Sequence, residues 1–400
     1  MMAFLKRFPG GGFDPIYFLM SMFSRRVLLR ATLVASFVVV SITAASAAEQ
    51  YEWNGVERIV AVGDLHGDYD AFRKIMKSAG LMDDHGRWTG GKTHFVQLGD
   101  VPDRGDGTEQ IEEDLHKLVK QAERAGGYVH LIMGNHEAMN IIGDYRYVTP
   151  GTYKNFVTRK SQKLQDKYFE AYVDSLKKQM PKDKWPSFDD AYRADWNKKF
   201  PLGYVEHGLA WSAQGEYGKW ALENPTIIEI DGTLFLHGGL SATYAGQDLK
   251  TINTTIHDEL AANPPVANGA AFQEDSPLWY RGLALGSDAD EEPIVSTALS
   301  SHEAKRIVVG HTPTLGPIVP RFGGRVILAD TGITHYYGEN LAYLVIEGDR
   351  LFAVYGDKKV ELPGPSPEDV LKYFETIRPL MKDPKTVDAY IKRLEPAGEH

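Results

Sequence analysis

The chain has 400 residues, 43% of them hydrophobic, enough for a large core built as one big domain or two smaller ones. It contains no cysteine, which excludes disulfides, thiolate metal sites and cysteine nucleophiles. Its net charge of −10, with no basic tail or stripe, argues against nucleic acid as a partner.

At the N-terminus, Ser24-Arg25-Arg26-Val27-Leu28-Leu29-Arg30 leads into an uncharged apolar run over 31–45, and Ala45-Ser46-Ala47 is a small-residue cleavage pattern. Together these describe a signal peptide over 1–47, with the paired arginines similar to a twin-arginine export signal. About fifteen residues are short for a membrane span, so no stable membrane insertion is expected once the signal is removed, and the location implied is periplasmic or secreted. Residues 1–23 fit neither the basic nor the apolar part, which leaves Met20 and Met22 as alternative starts. Removing 1–47, with five basic groups and one acid, leaves about −14, so an anionic substrate must be held by local groups.

From residue 58 onward, short β-rich runs alternate with helical stretches. Ile59–Val62 ends in Gly63-Asp64-Leu65-His66-Gly67, and Phe95–Leu98 ends in Gly99-Asp100-Val101-Pro102-Asp103-Arg104-Gly105. Val129–Met133 ends in Gly134-Asn135-His136-Glu137, Leu234–Leu236 in His237-Gly238-Gly239, and Ile307–Val309 in Gly310-His311-Thr312. Between the first runs, Tyr69–Ala79 and Gln110–Ala125 have amphipathic helical spacing. This alternation predicts an α/β domain over 48–365 with its site on loops at strand ends. Residues 151–200 break the rhythm with ten aromatics and a local charge of +5. They read as a helical insertion, either packed at the site or forming a solvated helix pair with structural aromatics. After Pro365, a C-terminal extension over 366–400 reads as two amphipathic helices broken near Lys382-Asp383-Pro384.

Each loop alone has an ordinary explanation, because Asp and Asn cap helices and Gly makes turns. Five such loops together are linked motifs. They gather Asp64, His66, Asp100, Asn135, His237 and His311, an oxygen and imidazole set suited to Mn, Fe, Zn or Co and less to Mg or Ca. Six side chains exceed the needs of one tetrahedral ion and suit two ions sharing a carboxylate. Arg104 and Arg281 offer the forked donor geometry that matches a phosphate edge, although Arg281 could equally sit in a surface salt bridge.

In this order, GDLHG, GDVPDRG, GNHE, HGG and GHT resemble the phosphoprotein phosphatase (PPP) branch of the calcineurin-like metallophosphoesterases, over roughly 58–340. The segment Pro277-Leu278-Trp279-Tyr280-Arg281-Gly282, the export signal and the long insertion look most like the bacterial Shewanella-like protein phosphatases. The resemblance implies a four-layer sandwich, with two mixed β-sheets packed face to face and flanked by helices. It further implies two divalent metal ions, manganese favoured, with Asp64 and His66 at the first, Asp100 bridging, and Asn135, His237 and His311 at the second. His136 becomes the general acid, oriented by Asp103. Arg104 and, more loosely, Arg281 bind phosphate, with Asn135 also facing substrate, while Glu137 holds its loop. The reaction implied is hydrolysis of a phosphomonoester, from a phosphorylated protein (Ser/Thr or Tyr) or a small molecule, by direct attack of a metal-bridging hydroxide. The alternatives are a nucleotide or dinucleoside-polyphosphate hydrolase and a non-catalytic periplasmic metal- or phosphate-binding protein. The metal-side tyrosine near the C-terminus of eukaryotic PPP enzymes finds no match in the sequence.

Overall fold

A computed structural model describes residues 50–394, so the signal peptide expected over 1–47 lies outside the described residues. Twelve strands form two six-stranded sheets. They are β1 (Glu52–Trp53), β2 (Arg58–Val62), β3 (His94–Gln97), β4 (Tyr128–Leu131), β5 (Ile227–Ile230), β6 (Thr233–Leu236), β7 (Arg306–Val309), β8 (Val319–Arg321), β9 (Val326–Leu328), β10 (Ala342–Glu347), β11 (Arg350–Tyr355) and β12 (Lys358–Glu361). One sheet runs β12-β11-β10-β2-β3-β4, the other β1-β5-β6-β7-β9-β8.

Both sheets are mixed. β2, β3 and β4 are parallel, with Ala61 opposite Val96 and Val96 opposite His130, while β10 runs antiparallel to β2 with Leu344 opposite Ala61. In the second sheet β6, β7 and β9 are parallel. Alternation along β2 shows what each face covers. Ile59 and Ala61 join the core between the sheets with Leu234, Leu236 and Ile307. Val60 and Val62 face outward to Phe72, Ile75, Ile111 and Leu115.

Those four residues belong to helices Tyr69–Ser78 and Thr108–Arg124, which form one outer layer. The first helix is capped by Asp68, whose carboxylate accepts from the Ala71 N–H, and it buries Ala71, Phe72, Ile75 and Met76 on one stripe. On the other outer face, helices Leu249–Ala261 and Asp288–Ser301 add Ile252, Val295 and Ala298 to an apolar cluster that is continuous with both faces of the second sheet. The architecture is therefore the two-sheet, four-layer sandwich that the motifs implied.

Residues 150–211 are mostly helical: Pro150–Asn155, Ser161–Gln179, Asp190–Lys199 and Tyr204–Trp211. Tyr168, Trp196, Phe200 and Val205 form a small core of their own. Helices Pro367–Ile377 and Lys385–Leu394 do not stand apart, because Val370, Tyr373, Phe374 and Val387 belong to the same large apolar cluster as the strands. Among the described residues no helix is long and apolar enough to cross a membrane.

Candidate active site

Every strand-end loop singled out in the sequence follows the C-terminal end of a parallel strand: β2, β3 and β4 in one sheet, β6 and β7 in the other. Because the sheets face each other, these ends converge, the usual place for a ligand in open α/β sheets. Asp64, His66, Asp100, Asp103, Asn135, His136, His237 and His311 are all buried there.

The loops hold this arrangement under strain. Eleven non-glycine residues have left-handed backbone among the described residues, and five of them are His66, Asp100, Asp103, Arg104 and His311. Such conformations cost of order 1–3 kcal/mol each and persist where the surroundings over-determine them, typically at functional sites. Close approach explains two of the glycines. A Cβ on Gly67 would lie 2.4 Å from the Gly105 carbonyl oxygen, and one on Gly105 would lie 2.5 Å from that of His66. Glu137 braces the same region by accepting N–H bonds from Gly134 (2.9 Å), Asp100 (3.1 Å) and Val101 (2.7 Å).

At the centre sits Asp100. Its Oδ2 is 3.8 Å from Nε2 of both His66 and His136, and its Oδ1 is 3.3 Å from Nε2 of His237. Asp64 Oδ2 lies 3.8 Å from His66 Nε2. Two donor triplets have ligand atoms within 4.8 Å of one another, His66–Asp100–His136 and Asp100–His237–His311, and Asp100 is common to both. Distance alone thus admits His136 beside His66, a place that the motif reading gives to Asp64. Arg281 stands at the edge of this cluster, exposed, with Nη1 donating to the His311 carbonyl (2.7 Å) and to Thr312 Oγ1 (3.0 Å).

The donor set fits metal ions. His66 Nδ1 pairs with the Pro102 carbonyl (3.1 Å) and His237 Nδ1 with that of Leu98 (2.7 Å). A carbonyl only accepts, so each Nδ1 carries the hydrogen and each Nε2 presents a lone pair to the cluster. His237 Nε2 then faces Asn135 Oδ1 at 3.0 Å, acceptor against acceptor, an arrangement that a cation relieves. His311 Nε2 lies 3.2 Å from the Trp279 carbonyl, which leaves its Nδ1 as the ligand atom.

The carboxylates give the same message. Burial first, then the charges of Asp330 and Asp100, push the Asp64 carboxyl well above its ordinary pKa. Asp330 was not anticipated from the sequence. It is buried, its carboxyl is raised to about 6 mainly by burial, and its Oδ2 has no hydrogen-bond partner. A signal for it existed, because Val326–Leu328 ends in Ala329-Asp330-Thr331-Gly332, a sixth apolar run stopping at Asp near Gly.

His136 and Arg104 differ from the rest. His136 Nδ1 is 2.6 Å from Asp103 Oδ2, and Asp103 Oδ1 accepts from Asn140 Nδ2 at 3.1 Å. Asn140 also donates to the His136 carbonyl (2.9 Å), closing a small network. Burial alone would lower the His136 pKa, but Asp100 and then Asp103 hold it above the ordinary value. The Arg104 guanidinium lies over three rings, Tyr147 at 4.8 Å, Tyr336 at 5.0 Å and Tyr337 at 5.3 Å, and its Nε is buried without a partner. None of these tyrosines was expected at the site. Tyr336 and Tyr337 bring aromatic rings to the region where no metal-side tyrosine could be matched by sequence.

A family model described as calcineurin-like phosphoesterase matches residues 57–315. An uncharacterized Schizosaccharomyces pombe protein is 30% identical over 319 residues, 76% of this chain and 82% of that protein. Shewanella-like protein phosphatase 2 of Arabidopsis thaliana is 33% identical over 64% of this chain and 66% of its own length. Shewanella-like protein phosphatase 1 of Plasmodium berghei is 26% identical over 76% of this chain and 75% of its own. In structure, the cold-active protein-tyrosine phosphatase of a psychrophilic Shewanella superposes with a TM-score of 0.59 at 26% identity, covering 78% of this chain and 83% of that one.

Proposed function

The chain belongs to the calcineurin-like phosphoesterases, in the phosphoprotein phosphatase branch with Shewanella-like relatives, and from that premise we propose a binuclear metal-dependent phosphatase acting on phosphorylated proteins, with phosphotyrosine preferred. The observation that carries it is the buried Asp100, shared by two donor triplets and flanked by the His136–Asp103 pair and Arg104.

In this reading Asp64, His66 and Asp100 would hold one ion, and Asp100, Asn135, His237 and His311 would hold the other. The oxygen and imidazole donors suit manganese, iron or zinc, and the family resemblance is the ground for favouring manganese among them. When bound, the two ions supply Lewis acidity and lower the pKa of water from near 15.7 towards about 7. Arg104 receives the phosphoryl oxygens with the N–H groups that its tyrosine collar leaves unpaired, and Arg281 offers a second guanidinium at the edge. His136 keeps a proton on Nε2 because Nδ1–H is committed to Asp103, and it delivers that proton to the departing ester oxygen. No side chain is needed as a covalent nucleophile.

Phosphotyrosine is preferred because the mouth of the site is aromatic. Tyr336 is 64% exposed and Tyr147 40% exposed beside Arg104, and both offer ring faces to an aryl ester. The structural likeness to a protein-tyrosine phosphatase supports the same choice. The test is metal analysis of the protein spanning 48–400, followed by hydrolysis of matched phosphotyrosine, phosphoserine and phosphothreonine peptides and of nucleotides. Two ions per chain with phosphotyrosine leading is the expected result. A nucleotide preference would overturn the protein-phosphatase reading, and a phosphoserine preference would overturn the aryl reading.

We also propose export, resting on the arginine pair and the small-residue cleavage pattern at 45–47. N-terminal sequencing of protein recovered from the periplasm should begin at Ala48, and an intact leader on protein confined to the cytoplasm would sink the proposal.

A further inference from the structure

A groove of about 1100 Å³ opens beside the candidate active site, with His66, Arg104 and Tyr336 on its wall at the site end. Away from them it runs between the first turns of helices Tyr69–Ser78 and Thr108–Arg124 and the Pro150–Asn155 region of the insertion. Its charged lining is one-sided. Asp68, Asp70, Asp106, Glu109, Glu113 and Glu216 line it, and Arg104 is its one Lys or Arg. Of the six acids only Glu113 has a Lys or Arg within ion-pair distance among the described residues, Lys117 at 3.7 Å.

The groove also has polar groups awaiting a partner. One carboxylate oxygen of Glu109 accepts from Asn155 Nδ2 (2.9 Å), while the other, Oε1, is buried with none. Thr334, 98% buried on the same wall, has a hydroxyl without a hydrogen-bond partner. Burial first, and then the charges of Asp106 and Glu113, push the Glu109 carboxyl above its ordinary pKa, as expected of acids crowded without a counter-charge. Phe156 and Tyr217 add aromatic faces along which the stem of a long cationic side chain can lie.

We infer that this groove holds the polypeptide flanking the phosphorylated residue and selects segments carrying Lys or Arg. The inference rests on the proposed protein-phosphatase reading and gives it a sequence preference. Lys brings three donors and Arg five, both without acceptors, which suits a wall where five of six carboxylates lack a cationic partner, one oxygen of Glu109 is unpartnered and the Thr334 hydroxyl is free. The same wall repels acidic peptides and the further phosphates of a nucleotide. Arg104 at the groove's end attracts the phosphoryl group, so a phosphopeptide with basic neighbours matches both signs at once.

The test uses the metal-loaded chain over 48–400 and three phosphotyrosine peptides differing only in basic, neutral or acidic flanks, with p-nitrophenyl phosphate as the small substrate. The variant is Asp70→Asn/Glu113→Gln/Glu216→Gln, three exposed positions outside the proposed catalytic machinery. At low salt the basic peptide should exceed the acidic one about tenfold in kcat/KM, with each exposed charge contributing about twofold. The triple variant, which leaves Asp68, Asp106 and Glu109 in place, should cut that preference several-fold and leave p-nitrophenyl phosphate turnover unchanged. Equal use of the three peptides by the unaltered chain, or a preference undiminished in the variant, would overturn the inference. Should no phosphoester be hydrolysed, the proposed function fails, and fluorescence anisotropy with a non-hydrolysable basic phosphonopeptide decides the groove separately. Binding lost in the variant supports the groove, and no binding overturns it.

Discussion

His136 and Asp103 are joined by a 2.6 Å contact between Nδ1 and Oδ2, and Asn140 holds the far oxygen of the same carboxylate. A metal-binding histidine can also be oriented by a carboxylate, so this contact alone does not separate acid from ligand. Chemistry does. If His136 is the acid, His136→Asn should keep both ions and lose about 10²- to 10⁴-fold in kcat on a phosphopeptide. The loss should be smaller on p-nitrophenyl phosphate, whose departing oxygen needs little help from a proton. Loss of an ion, measured by metal analysis, would make His136 a ligand beside His66.

Arg104 sits among three tyrosine rings with no ion-pair partner among the described residues, whereas Arg281 already spends Nη1 on the His311 loop. Arg104→Ala should therefore raise KM and the inhibition constant for inorganic phosphate together, by about 10- to 100-fold, as for a lost charged hydrogen bond. Arg281→Ala should weaken phosphate inhibition by less. Unchanged inhibition in Arg281→Ala would place that residue outside the substrate site and leave it as a tether of the His311 loop.

The parts of the site legible in the sequence were those written as local pattern. Asp64, Asp100, Asn135, His237 and His311 each stand where an apolar run stops near a glycine, so the strand ends announced them. The pairing of Asp103 with His136 came from motif resemblance, since 33 residues of sequence separate them and no periodicity links them. The tyrosines around Arg104 were illegible for a different reason. Tyr147 lies in a turn and Tyr336 in the short 3-10 helix His335–Tyr337, far apart in the chain, and only the tertiary fold brings both rings to one guanidinium. The β10–β11 hairpin could have been read from Glu347-Gly348-Asp349-Arg350 between two apolar runs, with Gly348 at φ 61° in the turn. The left-handed backbone at His66 and Asp100 could not, because there it is held by contacts between loops from different strands, such as the His66 N–H to the Asp100 carbonyl.

Asp330 extends the carboxylate cluster at the end of β9, with one oxygen accepting from the Gly332 N–H (3.0 Å) and the other unpartnered. Asp330→Asn removes a buried charge that raises the Asp64 carboxyl. Without metal, the variant should melt at a higher temperature than the unaltered chain at pH 7, since repulsion between the two acids is relieved. With metal it should bind more weakly, by about 10- to 100-fold, as when a supporting group behind a ligand is lost. Calorimetric melting and metal titration check the two halves. Unchanged metal affinity would leave Asp330 with a purely structural role.

Glu112 is a buried acid that the proposed chemistry does not use. It lies on helix Thr108–Arg124, 3.8 Å from His116 on the same helix, and shares electrostatic interactions with Glu137 and Tyr217 from neighbouring helices. Burial lowers the His116 pKa to about 4, so that ring is neutral at pH 7 and gives Glu112 no charge partner. Burial, then Glu137, raises the Glu112 pKa from 4.5 to about 8. The folded chain therefore keeps this proton where the unfolded chain has lost it, and stability falls as pH rises from about 4.5 to about 8, then levels. At about 1.4 kcal/mol for each pH unit between those two values, the full cost is a few kcal/mol. Glu112→Gln keeps the size of the side chain and abolishes the titration. Its stability relative to the unaltered chain should rise steadily between pH 5 and pH 8, measured by urea unfolding of the metal-free protein in matched buffers. A constant offset across that range would mean that Glu112 ionises in the folded protein as freely as in the unfolded chain, with burial relieved by water that reaches the helix.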